Sequence, residues 1–406
     1  MLTVAVGQSN DIDATAAAAE VTRQCERALG GRSPRAGLIF ASIDLEHERV
    51  LEALARAFPE ACWIGCTTDG EATSAVDLEG ERVGFQESSL AVMLFASDTL
   101  SFATAVARGL SGDDSDPRAR VRDAVREAAR ALTQPPSVCI TTPESLTTSG
   151  AAIVDGLVDG LADERVPIVG GLAGDGVTWT GTSQFHGAEV LHDAAPVLLI
   201  GGPLTVSAGV ASGWSPLGRK ATVTRAEGNR VLEINGRPPL EFYRHYIGEG
   251  SVPSGEYALA VFDADAASER CFYLRAPQRS DEQSGEMSFF GDVPEGATVQ
   301  LTQTDRASIL AGCQASIDAA LASFDEDVPR RAALFFSCAG RHRLLGSRTP
   351  QEFERLRARL GDHTPIAGFY AYGEIGPVER DQRARFHNET FVTVLLGSRD
   401  PSEEHG

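Results

Sequence analysis

The chain is 406 residues long, with 57 acidic against 36 basic side chains and a formal charge of −21 at pH 7. Hydrophobic residues make up 42%, a globular composition and not a disordered one. That acidity excludes a nucleic-acid surface, which needs clustered Lys and Arg to displace phosphate counterions.

The opening MLTVAVGQSND has no basic residue and no long apolar region, so it does not read as a secretory signal. The most apolar stretch, 195–204, falls far short of the roughly 20 residues that a spanning helix needs. Seven cysteines (25, 62, 66, 139, 271, 313 and 338) lie mostly inside apolar runs, which suits reduced, buried thiols. The expectation is a cytoplasmic protein with no membrane part.

In chain order, a short strand around Val4 precedes a helix over residues 14–29 and a second strand, GLIFAS, from Gly37. A helix with the apolar face Leu51/Leu54/Phe58 follows, then the strand CWIGC to Gly65 and a Gly70-Glu71 turn. A hairpin-like polar stretch leads to a closing strand from Leu90. The same series returns with a strand around Thr104, a helix over 117–132 capped by Asp116, and SVCITT from Ser137. Ile153/Leu157/Leu161 then form a helical face, PIVGG ends at Gly170, Gly174-Asp175 makes a turn, and PVLLIGG closes the unit from Pro196. A third pass reads VQL from Val299, a helix over 305–324, AALFFS from Ala332 and the face Phe353/Leu356/Leu360. Thr349-Pro350-Gln351-Glu352 has the form of a capping box before that last helix. PIAGF to Gly368, Gly373-Glu374 and a strand from Thr390 complete the unit.

Such repetition predicts an α/β fold with layered mixed sheets, built from three βαβ-type units. An inserted α+β segment over 205–296 lies between the second and third. It carries GWSPLG, a turn at Asn235-Gly236, the helical stretch LEFYRHYIG and the strand-like runs EYALAVF and RCFYLRA.

Glycine-rich strings do not make nucleotide sites here. No helix follows GGLAGDG to receive a pyrophosphate, and GWSPLGRK lacks the Lys-Ser/Thr pair of a P-loop. Cys62 and Cys66 share a strand face without neighbouring histidines, and no metal site is assigned. SCAGR, at 337–341, ends a strand where open α/β sheets place ligands. There Arg341 could grip a carboxylate, Ser337 could offer a hydroxyl, and the amides of Ala339 and Gly340 could bind oxygen. The competing reading buries Cys338 and pairs Arg341 with a structural acid. Glu374 could accept an amine beside the His387-Asn388 pair, although its repetition as Glu71 and Asp175 points to a role in the loop backbone. A covalent reading would make Cys338 a nucleophile with His342 or His387 as base.

Together GCTTDGE, PIVGGLAGDG, GWSPLG, FFSCAGR, GFYAYGEIGP and FHNET resemble the FIST family over nearly the whole chain. Thr67 departs from the serine expected after Gly-Cys. The resemblance implies a FIST N-terminal domain over 1–216 with two units, a C-terminal domain over 217–397, and a tail over 398–406. It implies a sensory, small-ligand-binding module of signal transduction, not an enzyme, whose ligand is an amino acid or small carboxylate. The partner would be a histidine kinase or a cyclic-di-nucleotide enzyme in trans. The matching strings mark Gly174, Asp175, Ser337, Cys338, Arg341, Tyr372, Glu374 and His387 as the ligand region. Some members resemble haem proteins that sense nitric oxide, and for haem the axial candidates here are His245 and His387.

Overall fold

Local signals start the helices where the sequence places them. Asp13, Asp116, Ser149 and Asp305 each accept from a backbone N–H three residues on. They open the helices Ala14–Leu29, Pro117–Ala131, Gly150–Gly160 and Arg306–Ser323. Central strands such as Ala36–Ser42 and Leu90–Ala96 are buried along their whole length, so they read as continuous apolar runs. The computed structural model describes residues 2–77, 79–112, 115–262, 272–378 and 382–399. Cys271, the start of RCFYLRA and most of the 398–406 tail lie outside the described residues.

Three six-stranded mixed sheets result, one from each unit. The first runs Thr3–Ser9, Leu90–Ala96, Ala36–Ser42, Cys62–Thr68, and the second runs Ser101–Arg108, Ala194–Gly201, Pro136–Thr141, Ile168–Gly171. The third runs Thr205–Ala211, Phe391–Gly397, Arg330–Cys338, Ile366–Ala371. Each is completed by a hairpin from another unit. The hairpin of the first unit (Glu71–Val76, Arg82–Gln86) extends the third sheet, that of the second (Gln184–His186, Glu189–Leu191) extends the first, and that of the third (Glu374–Gly376, Arg385–His387) extends the second. This cyclic exchange binds the units to one another through backbone hydrogen bonds.

The inner faces of all three sheets meet in one core that includes Phe40, Ile64, Met93, Ile140, Leu198, Phe336, Phe369 and Val394. Each outer face lies under its own helices with its own apolar cluster. Gly65, Gly170 and Gly368 occupy equivalent places. A Cβ there would stand 2.0, 2.1 and 2.0 Å from the carbonyl oxygens of Ile39, Thr141 and Phe335, which explains the glycine inside each third strand.

Two readings need correction. The strand around Val299 (Thr298–Gln303) does not open the third unit; it pairs with Leu259–Phe262 and Ser215–Glu227 in a separate seven-stranded sheet. The opening strand is Thr205–Ala211, placed before the insertion, and its glycine packs on the helix Arg306–Ser323 (a Cβ at Gly209 would meet Ser316 O at 2.0 Å). The inserted sheet therefore interrupts a strand–helix connection, which short-loop reasoning does not anticipate. The capping box also fails. Thr349 is helical and its hydroxyl donates to the carbonyls of His342 and Gly346, while Glu352 is drawn inward to Arg341.

Candidate functional site

Each unit has a junction at or just past the end of its second strand, beside the start of its closing strand. The backbone is the same in all three: Ser42 N donates to Ser89 O, Glu144 N to Ala194 O and Cys338 N to Thr390 O. Beside each stands the first residue of a hairpin. Glu71 pairs with Phe369, Gln184 with Cys66 and Glu374 with Gly171. Each partner follows its strand's landmark glycine, or Gly65, by one residue. This overturns the alignment of Asp175 with Glu71 and Glu374. The middle unit places Gln184 at that position, and its Oε1 accepts from Ala194 N just as Glu374 Oε2 accepts from Thr390 N.

The side chains differ. In the first junction Glu71 is satisfied by Ser89 Oγ at 2.6 Å and by Thr68 Oγ1. In the third, Glu374 Oε2 takes both Thr390 N (3.1 Å) and Thr390 Oγ1 (2.8 Å), while its Oε1 is buried without a partner. Glu389 Oε2 and Asn388 Oδ1 are likewise buried and unpartnered. Glu389 is fixed in the left-handed region at φ 59° and lies against two glycines. A Cβ on Gly340 would meet its Oε1 at 2.5 Å, and one on Gly255 would meet it at 2.7 Å. Burial pushes Glu389 up to about 8, opposed by the Arg341 guanidinium, and holds Glu374 well above the usual carboxylate range. Burial, Glu374 and Glu389 together raise the Cys338 thiol far above its ordinary value, which disfavours the thiolate a nucleophile requires.

Arg341 turns into the fold. It is fully buried, bonds Glu352 through Nε (3.0 Å) and Nη2 (2.6 Å), and donates to the carbonyls of Ser212, Ile309 and Glu389. Ser337 Oγ and Tyr370 Oη donate to the same Glu352 carboxylate, at 2.9 and 3.1 Å. Arg341 and Ser337 thus join in the buried ion-pair network that was the competing reading of SCAGR, and Arg341 holds the Glu389 carbonyl.

Asp175 lies instead in a loop, 172–183, between the third strand and hairpin of the middle unit. Burial opposes its charge, but Tyr372 Oη at 2.6 Å, Thr178 Oγ1 and the amides of Thr180 and Gly181 outweigh it and keep its pKa below the ordinary value. Tyr372 Oη in turn accepts from Val177 N at 2.7 Å. Trp179 stacks on both Tyr372 (4.5 Å) and Phe290 of the inserted segment (5.1 Å). Val177 and Trp179 both have positive φ, at 66° and 56°, a strained state for bulky residues. Gly174 packs on the backbone at Asp69 and forms no part of the cavity lining.

These parts enclose a cavity of about 710 Å³. Its floor is Cys338, Gly340, Tyr372, Asn388 and Glu389, one wall is Val177 and Trp179, and the other is the inserted segment at Gly255, Ala276–Arg279 and Phe290. Of the residues singled out in the sequence, Cys338, Ala339, Gly340, Tyr372 and Asn388 line it. Glu374 lies behind Cys338. His387 is buried, with Nε2 on Gly376 O at 2.9 Å, and burial lowers it to about 4. His245 is exposed on the helix Pro239–Ile247 and packs edge-on to Tyr246. Neither lines the cavity, so neither fits an axial haem ligand there. His342 bonds Asp69 O and lies outside the lining too. Asn388 and Glu389 were within reach as part of FHNET; Trp179 and the inserted residues carried no signal of their own.

Residues 35–237 match the FIST N domain, and residues 239–377 match the FIST C domain. The chain belongs to the FIST family. FIST domains are sensory domains of signal transduction proteins. An uncharacterized protein of Mycobacterium tuberculosis is 26% identical over 387 residues, covering 92% of this chain and 95% of its own. One from Mycobacterium bovis is 28% identical over 393 residues, with 92% and 94% covered. Among solved structures, a cyanuric acid hydrolase from A. caulinodans aligns over 98% of this FIST chain and 100% of its own, at 11% identity and TM-score 0.39. A chorismatase aligns over 98% of each at 8% identity and TM-score 0.36. Among the described residues, no helix is long and apolar enough to cross a membrane, and no group of three or more His, Cys, Asp or Glu is placed to hold a metal ion.

Proposed function

We propose that this FIST protein is a non-catalytic sensor that holds a small polar ligand, an amino acid or small carboxylate, in the cavity of the third unit. It passes its bound state in trans to a signalling partner such as a histidine kinase or a cyclic-di-nucleotide enzyme. The observation that carries this reading is the meeting of three separate pieces of chain around one cavity. A ligand there touches the third junction, the strained 172–183 loop and the inserted sheet at once. Its binding therefore biases how they pack, which is what a sensor must do. The volume is in the range of small-molecule sites, with apolar walls and few polar groups. The buried, protonated Cys338 thiol favours binding over turnover.

A thermal-shift screen of amino acids and small carboxylates tests the reading. Hits should raise the Tm of the wild type by several degrees and should not raise that of Gln278→Trp, in which an exposed lining residue is enlarged to block the cavity. Equal shifts in both proteins would move the site elsewhere.

A further inference from the structure

We propose that Glu389 is the receptor for a ligand ammonium group, so that the cavity selects amine-bearing molecules over carboxylates that lack one. The inference rests on the cavity being the ligand site. Its floor includes Glu389 and Asn388, whose Oε2 and Oδ1 atoms are buried and unpartnered. Buried polar atoms in folded proteins almost always find partners, so a carboxylate left unpaired in the floor of a cavity calls for a donor. An ammonium supplies three donors and no acceptor.

The charged surroundings agree. The nearest cation to Glu389 is Arg341, but its guanidinium is committed to Glu352 and to main-chain carbonyls, and it touches Glu389 only through the carbonyl oxygen at 3.3 Å. No ion pair to the Glu389 carboxylate occurs among the described residues. Burial holds the Cys338 thiol and the Glu374 carboxyl beside it well above their ordinary values, which disfavours a further anion there. Arg279 and Arg343, both exposed, stand at the cavity margin, where they suit an anionic far end of the ligand. The placement is also built and not incidental. Left-handed backbone at Glu389 and glycines at 340 and 255 are what leave space for this carboxylate. The corresponding residue of the first unit is Ser88, and that of the second is Asp193, whose carboxylate is spent on the Ser111 amide.

Isothermal titration of the full chain with three matched sets decides it: the standard L-amino acids, the amines left when their carboxylate is removed, and the 2-hydroxy acids in which hydroxyl replaces ammonium. Binders are expected in the first two sets and none in the third. Glu389→Gln should weaken the best binder at least tenfold, and so should Gly340→Ala, which displaces the carboxylate without removing it. Wild-type affinity in either folded variant would overturn the proposal. So would a 2-hydroxy acid that binds as tightly as its amino acid; if Gln278→Trp abolished that binding, the cavity would stand as the ligand site and only the ammonium would fall. No binding from any set would end both.

Discussion

The first and third junctions share a backbone and differ in what their side chains leave undone. In the first, Ser42, Glu71, Ser88 and Ser89 form a small closed set in which both Glu71 oxygens are bonded. In the third, Cys338, Glu374, Glu389 and Thr390 occupy the same places, and two carboxylate oxygens stay open. A repeated architecture therefore supplies its own control. What recurs in the first junction is structure, and what the third adds beyond it is the part available for a ligand. The middle unit contributes by departing from the pattern: Gln184 takes the acid's place, and the 172–183 loop is freed to cover the third junction.

Several experiments would break or sharpen this comparison. The largest effect should come from Arg341→Ala, which strands the Glu352 charge in the core and should cost about 3–5 kcal/mol in chemical denaturation. A change near zero would mean that Glu352 is carried by Ser337 and Tyr370 alone. Next come Gly65→Ala, Gly170→Ala and Gly368→Ala. Each forces a Cβ against a neighbouring carbonyl, so each should cost about 1–3 kcal/mol. Unequal costs would show that the three strands are less equivalent than their registers indicate.

A smaller, pH-dependent effect separates the closed and open acids. Burial raises Glu71 from 4.5 to about 8, so the folded state holds a proton that the unfolded state has released across that interval. Its contribution to stability therefore falls as pH rises from about 4.5 to about 8. Glu71→Gln should flatten that decline in a stability–pH series. Glu389, raised to about 8, should do the same in the free protein. A cationic ligand displaces its proton, so amine affinity should rise as pH increases through about 8, and Glu389→Gln should remove that rise. The smallest effect should come from Trp179→Ala. Trp179 is 44% exposed, so stability should change little while ligand affinity drops. Unchanged affinity would take the loop out of the site.

Much of the architecture was legible because its causes are local. Asp13, Asp116 and Asp305 sit where helices start, and the runs around Ile39, Ile140 and Phe335 are apolar enough to be buried strands. The site was less legible. SCAGR held both a cavity residue, Cys338, and a buried ion-pair member, Arg341, and nothing in its spacing says which side chain turns inward. The partner that settles it, Glu352, looked like a helix cap. In FHNET the histidine drew attention, yet His387 is buried against Gly376 while Asn388 and Glu389 face the cavity.

By itself the sequence determined three αβ units, their landmark glycines and the family, since periodicity, caps and turns act over a few residues and survive without knowledge of the whole. Only the tertiary structure decided that the hairpins are exchanged around a ring, that the third unit opens before its insertion, and that Gln184, not Asp175, matches Glu71 and Glu374. Those outcomes depend on hydrogen bonds and packing between residues far apart in the chain. Three copies of one pattern cannot show which copy remains open until all three are folded together.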